Sequence, residues 1–198
     1  MQRPSTFKQR TLAVTVLLAL LWGVEAVDGL LGGSLNRYGV RPRELAGLWG
    51  IPLAPFLHGG WGHLAANSAP LFVLGWLVAL RGLRNFIEVS VVIILLGGFG
   101  TWLIGKPHSV HIGASGLIFG YFGFLILRGL IDLNLTSILS SLIVGLFYGG
   151  LIWGVLPSHP GVSWESLRLE AWSFVELFSG GARHPASRLL RFGLCLHR

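Results

Sequence analysis

The 198-residue chain is 53% hydrophobic, carries charge at only 12% of positions and has a formal net charge of +7 with mean hydropathy +0.69. A soluble domain carries about 25% charged residues, so this composition excludes an ordinary soluble fold and points to a helical protein that crosses a membrane several times. The basic residues lie between apolar runs and in the tail, not in one stripe with interleaved aromatics, which fits membrane topology rather than nucleic-acid binding. Cys195 is the only cysteine, which rules out an intrachain disulfide and a cysteine metal cluster.

Arg3, Lys8 and Arg10 precede the first apolar run. "VEA" within that run imitates a signal-peptide cleavage site, but further apolar runs follow, and the segment reads as an uncleaved first transmembrane helix. Five segments approach the roughly 20 apolar residues a spanning helix needs: residues 11–32, 62–80, 86–105, 113–131 and 135–156. The links "RGLRN", "KPHSVHI" and "DLN" between the later spans are short, so sequential helices run antiparallel. The link from residue 33 to 61 mixes Arg, Pro, Leu and Trp and reads as an interfacial segment lying on or dipping into the bilayer. Arg3, Lys8, Arg10, Arg81, Arg84 and Arg128 on one side outnumber Arg37, Arg41, Arg43 and Lys106 on the other, which favours a cytoplasmic N-terminus. Glycines such as Gly97, Gly98, Gly116 and Gly120 read as close-packing surfaces between spans. Glu25 and Asp28 are three apart on one helical face, and a position near the outer end of the first span accounts for them more simply than a proton pathway.

Two polar clusters remain. "LHGGWGHLAANSAP" contains His58, His63, Asn67 and Ser68. With a helix starting near Trp61, His63 and Asn67 are one turn apart on the same face, and both can donate hydrogen bonds. They can hold an oxyanion, or they can form an interhelical hydrogen bond. "KPHSVHIGASG" places Ser115 between glycines at the start of the fourth span, where free N–H groups and the helix dipole favour negative charge. Ser115 can be a nucleophile there, or a packing residue bonded back to a carbonyl. A hydroxyl, helix-start amides and a His/Asn pair are the parts acyl transfer requires, apart from a general base. No HExxH motif accompanies His58, His63, His108 and His111, and no carboxylate adjoins them in sequence, so a metal site is not expected. "GASGL" is not the G-x-S-x-G elbow of α/β-hydrolases either.

"FLHGGWGHLAANSAPLFVLG", followed about 50 residues later by "HIGASGLIFGYFGF", resembles the bacterial-type rhomboid family of intramembrane serine proteases, over roughly residues 11–166. The resemblance implies an all-α polytopic membrane bundle in a bacterial plasma membrane. It implies Ser115 as nucleophile in GxSG, His63 and Asn67 as the oxyanion-stabilising pair, and a supporting role for His58. It implies that residues 33–60 form the loop laid partly into the outer leaflet. It further implies transmembrane protein substrates and neither metal nor cofactor.

The family's base is a histidine on the sixth span, directly after "GVSWES" in relatives that carry that stretch. Here Leu167 stands at the expected position. Arg168, Glu170 and Glu176 then interrupt the apolarity, each charge costing about 2.5–3.5 kcal/mol near a helix centre. Arg183, Arg188, Arg191 and Arg198 follow. His184 lies in the turn-like "GGARHPAS", a poor place to hold a base in hydrogen-bond reach. The expected division is therefore a membrane core over 1–166 and a divergent or frameshifted basic tail over 167–198, with five clear spans and a degraded sixth. Loss of the base alone costs serine proteases roughly 10⁶ in turnover. Three readings follow: a rhomboid-type serine endopeptidase, a catalytically inactive relative that binds transmembrane helices, and, more remotely, a small transporter or channel subunit.

Overall fold

The computed structural model describes residues 6–132 and 134–149. The last seven residues of the expected fifth span, 150–156, the sixth span and the 167–198 tail, including Leu167 and His184, lie outside the described residues. Within them are five long helices: α1 (Phe7–Leu30), α2 (Trp61–Ala79), α3 (Leu83–Ile104), α4 (Ser115–Asp132) and α5 (Leu135–Tyr148). The first four are long and apolar enough to cross a membrane. No strand occurs among the described residues, only an isolated antiparallel bridge between Val40 and His111. The chain is an integral membrane protein with an all-α bundle, as its composition predicts.

Local chemistry sets the helix boundaries. Thr6 caps α1 through a reciprocal pair in which its hydroxyl accepts from the Gln9 N–H and the Gln9 side chain accepts from the Thr6 N–H. Gly60 and Gly82, at φ +115° and +126°, turn the chain into α2 and α3, a conformation only glycine takes without strain. Asn134 caps α5 by accepting from the Ser137 N–H at 2.9 Å.

Helix α4 lies at the centre, between α2 and α5, with α3 crossing it. Tyr121 on α4 is fully buried, and its hydroxyl meets that of Ser90 on α3 at 2.6 Å. Small residues set the close approaches: a Cβ at Gly120 would stand 2.6 Å from Ile93, and one at Gly98 2.6 Å from Ile51. Helix α3 loosens to a π-turn over Ile93–Gly97 where these contacts occur.

Residues 33–60 form a chain of short helical turns, including Leu45–Phe56. Leu45 and Trp49 are about four-fifths exposed, the form an interfacial segment takes. The segment is tied to the end of α3, because the Arg43 N–H donates to the Trp102 carbonyl and the Trp102 ring N–H to the Glu44 carbonyl. At the opposite end, Arg81 and Arg128 both pair with Asp132 at 2.9 Å, and Arg10 donates to the Leu80 carbonyl. Among the described residues, Arg10, Arg81 and Arg128 thus fall at one end of the bundle and Arg43 at the other.

Glu25 and Asp28 lie in the last two turns of α1, near the end of the first span as expected. They share the buried stripe of α1 with Val14 and Leu21, at 4% and 3% exposure. The spacing along that stripe turns both carboxyls toward the bundle.

Candidate active site

The site is built where three segments meet: the turn before α2, the first turns of α2, and the loop ending at Ser115. Helix α2 begins at Trp61, which places His63 and Asn67 one turn apart on the same face. Helix α4 begins at Ser115. The Ala114 carbonyl accepts from the Ile118 N–H at 3.0 Å, so Ala114 caps the helix. The amides of Ser115, Gly116 and Leu117 are then the first-turn donors that no helical carbonyl can take, and the dipole there favours negative charge.

Gly113 brings the two clusters together. Its φ of +113° requires glycine. Its N–H donates to the Ala54 carbonyl at 2.9 Å, and the neighbouring Val40–His111 bridge contributes hydrogen bonds of 2.9 and 3.0 Å. These contacts pin the loop against the 33–60 segment. A Cβ added at Gly113 would lie 2.9 Å from His63 Cε1, 3.2 Å from His63 Nε2 and 3.7 Å from Asn67 Nδ2. The edges of His63 and Asn67 therefore converge on one point, two residues before Ser115.

Hydrogen bonds fix the protons on both imidazoles. The Gly59 N–H reaches His63 Nδ1 at a long 3.4 Å, so in the neutral ring the proton sits on Nε2, facing Gly113. His58 is 1% exposed, and its Nε2 accepts from the Ala114 N–H at 3.2 Å. Its proton is on Nδ1, which has no hydrogen-bond partner. Burial pushes His58 down to about 4, with the nearby His63 ring adding to the effect and the Phe56 backbone opposing it. The two rings meet edge-on at 5.2 Å. His58 is thus a neutral strut between the turn before α2 and the residue before Ser115.

Asn67 is 9% exposed, and its Nδ2 is also without a partner. An unmet buried amide costs about 1–3 kcal/mol, a cost recovered when an oxygen atom arrives. Ser115 itself is half-buried. His111, one of the histidines considered for metal, accepts or donates at Ser109 Oγ over 2.9 Å and belongs to the Val40 bridge. The strut from His58 to Ala114 and the anchor of Gly113 on Ala54 were not visible in the sequence. The only local signal for them was the run of glycines at 59, 60 and 113.

Comparison with known proteins identifies the family. The Rhomboid domain family matches residues 45–166, which takes in the 45–56 turns, His58, His63, Asn67 and Ser115. An uncharacterized protein of Mycobacterium tuberculosis is 45% identical over 160 residues, covering 77% of this chain and 67% of the relative. The putative rhomboid protease YdcA of Bacillus subtilis is 36% identical over 76 residues, 38% of each chain. The fluoride-specific ion channel FluC of Salinibacter ruber is 33% identical over 131 residues, 66% of this chain and 83% of the channel. The domain match spans both polar clusters and the helices that bring them to Gly113, and on that ground the chain belongs to the rhomboid family.

Proposed function

We propose that the chain is a rhomboid-type intramembrane serine endopeptidase acting on transmembrane protein substrates. Ser115 is the nucleophile, and His63 and Asn67 stabilise the oxyanion. The observation that carries this reading is the convergence of His63 Nε2 and Asn67 Nδ2 beside Gly113, at the start of the helix that carries Ser115. Attack of Ser115 Oγ on a substrate carbonyl moves an electron pair onto the carbonyl oxygen. The Nε2–H of His63, the amide of Asn67 and the helix-start N–H groups would stabilise that charge, each such donor being worth roughly 10²–10³ in rate. The proton leaving Ser115 needs a base. The family's base position, occupied by Leu167, and the other downstream candidate, His184, lie outside the described residues. In the same reading residues 1–166 are the membrane core and 167–198 a divergent tail. The N-terminus is cytoplasmic and the membrane a bacterial plasma membrane, which the excess of Lys8, Arg10, Arg81, Arg84 and Arg128 on one side supports.

Leu167 at the base position favours a second reading, a catalytically inactive rhomboid that holds transmembrane helices. The likeness to a fluoride channel favours a third, ion conduction. A fluorophosphonate probe separates them in detergent-purified protein. Labelling that disappears in Ser115→Ala carries the protease reading. Folded protein without labelling carries the inactive one. Fluoride flux in vesicles that is unchanged in Ser115→Ala carries the channel.

A further inference from the structure

Helices α2 and α4 begin at the candidate active site, and their other ends carry a charged cluster that the chemistry above does not use. Arg81 follows α2, Arg128 and Asp132 lie at the end of α4, and Ser137 stands in the first turn of α5. Arg81 Nη1 and Arg128 Nε each lie 2.9 Å from one carboxylate oxygen, Asp132 Oδ2. The Ser137 hydroxyl donates to the same oxygen at 3.2 Å, and Arg81 Nη2 donates to the Ser137 hydroxyl. The start of α1 reaches the same corner, where Arg10 Nη1 donates to the Leu80 carbonyl at 2.7 Å. Two guanidiniums thus share one carboxylate, which leaves the group one positive charge in excess. Side-chain exposure is 19% for Arg81 and Asp132 and 34% for Arg128, so water and salt screen that charge incompletely. Arg128 Nε is buried and makes no hydrogen bond, although it lies so close to Asp132. Its N–H is therefore not in line with the oxygen that attracts it.

We propose that this corner binds the phosphodiester headgroup of an anionic phospholipid, and that Arg128 selects it. A guanidinium presents a flat fork of donors that matches two phosphate oxygens, and a phosphodiester brings the negative charge that Asp132 alone does not supply. The depth is right for a headgroup. Helix α4 has 18 residues, about 27 Å of length, close to the thickness of the hydrocarbon core, so its end falls near the polar layer. Leu130 and Leu135, on either side of Asp132 in the chain, are 67% and 72% exposed, which sets apolar surface for acyl chains beside cationic surface for the headgroup. Basic recesses between membrane helices bind lipid headgroups for these reasons. A zwitterionic headgroup carries no net charge to balance the excess, and inorganic phosphate lacks the chains. The proposal does not depend on the role of Ser115.

The test follows thermal melting of the full chain in a neutral detergent by tryptophan fluorescence, during titration with dioctanoylphosphatidylglycerol, dioctanoylphosphatidylcholine or inorganic phosphate. The native protein is expected to gain melting temperature saturably with the phosphatidylglycerol, and to respond little to the other two at the same concentrations. Arg128→Gln removes the excess charge and leaves Arg81, Asp132 and Ser137 bonded to one another. It is expected to raise the half-maximal phosphatidylglycerol concentration roughly 10- to 100-fold, the worth of one bond to a charged group. Arg84→Gln makes the same change in net charge next to this corner, at an exposed residue paired with Glu88 at 2.7 Å, and is expected to respond as the native protein does. Equal responses to the two lipids overturn the proposal, as does a phosphate response matching that of phosphatidylglycerol, which marks a site for free anions. An equal loss in Arg84→Gln and Arg128→Gln also overturns it, because diffuse surface charge then explains the binding. If Arg128→Gln does not fold, Arg128→Lys decides, since it keeps the charge and loses the fork. Weaker phosphatidylglycerol binding in that variant supports the site, and native binding refutes it.

Discussion

Acidification should destabilise this protein through His58, and the size of the effect follows from where the ring sits. His58 is buried and neutral, its Nε2 accepting from the Ala114 N–H, and its folded value is lowered from 6.5 to about 4. The folded state refuses a proton that the unfolded chain takes up from pH 6.5 downward. The contribution of neutral His58 is therefore complete above pH 6.5 and is lost between pH 6.5 and 4. With 1.36 kcal/mol per unit, the loss is about 2 kcal/mol at pH 5 and about 3 kcal/mol near pH 4. At roughly 2–4 °C per kcal/mol for a chain of this size, the melting temperature should fall by about 4–8 °C between pH 7.5 and 5 from this residue alone. Other groups titrate in the same range, so the measurement is a difference between two proteins. His58→Gln keeps an acceptor for the Ala114 N–H and does not titrate. Thermal melting of both in one detergent should give curves that diverge below pH 6.5, with the native protein losing more. Parallel pH profiles would refute the argument that a neutral His58 ring links the turn before α2 to Ala114.

Gly113→Ala should abolish probe labelling of Ser115 in protein that labels. The new methyl would stand 3.2 Å from His63 Nε2 and 3.7 Å from Asn67 Nδ2, where the oxyanion would lie, and two lost donors amount to at least about 10³ in rate. The same substitution should cost about 1–3 kcal/mol in a thermal melt, because φ is +113°. Asn67→Ala removes one unpartnered buried donor. It should slow labelling by roughly 10²–10³ while leaving the melt unchanged or higher, since an unmet group is deleted along with the amide. Gly120→Val would drive a side chain into Ile93, 2.6 Å from the added Cβ, and should lower stability by about 1–3 kcal/mol in detergent melts, with the π-turn of α3 shifting to make room. Asp132→Ala leaves Arg81 and Arg128 facing each other without their shared carboxylate, and should speed proteolysis of the α4–α5 link measured against the native protein.

Much of this architecture can be read from the chain because a bilayer makes local sequence decisive. Lipid offers no hydrogen bonds, so each crossing segment must satisfy its own backbone as a helix of a set length. For that reason the expected spans at 11–32, 62–80, 86–105 and 113–131 coincide with α1 to α4 to within a few residues. The helix starts at Trp61 and Ser115 follow from glycines that only turns tolerate, and the i, i+4 relation of His63 and Asn67 follows from helix geometry alone. What the 33–60 segment touches had no such local rule. Its turns are positioned by Trp102, His111 and Gly113, partners 58 to 71 residues distant. The burial of Glu25 and Asp28 is not legible in the sequence for a related reason. A carboxyl near a helix end usually faces water, and only the tertiary packing shows that these two face inward, with Asp28 accepting from the Leu35 N–H.

The amino-acid sequence by itself determined the class, the first four spans and the identity of the polar residues, since those depend on apolar length, helical period and residue chemistry. Tertiary structure alone decided that Gly113 stands beside His63 and Asn67, that His58 supports Ala114, and that the acidic face of α1 is buried. Each of these contacts joins segments far apart in the chain, and each exists only because a glycine without a side chain or a buried polar atom without water leaves the two segments one way to meet.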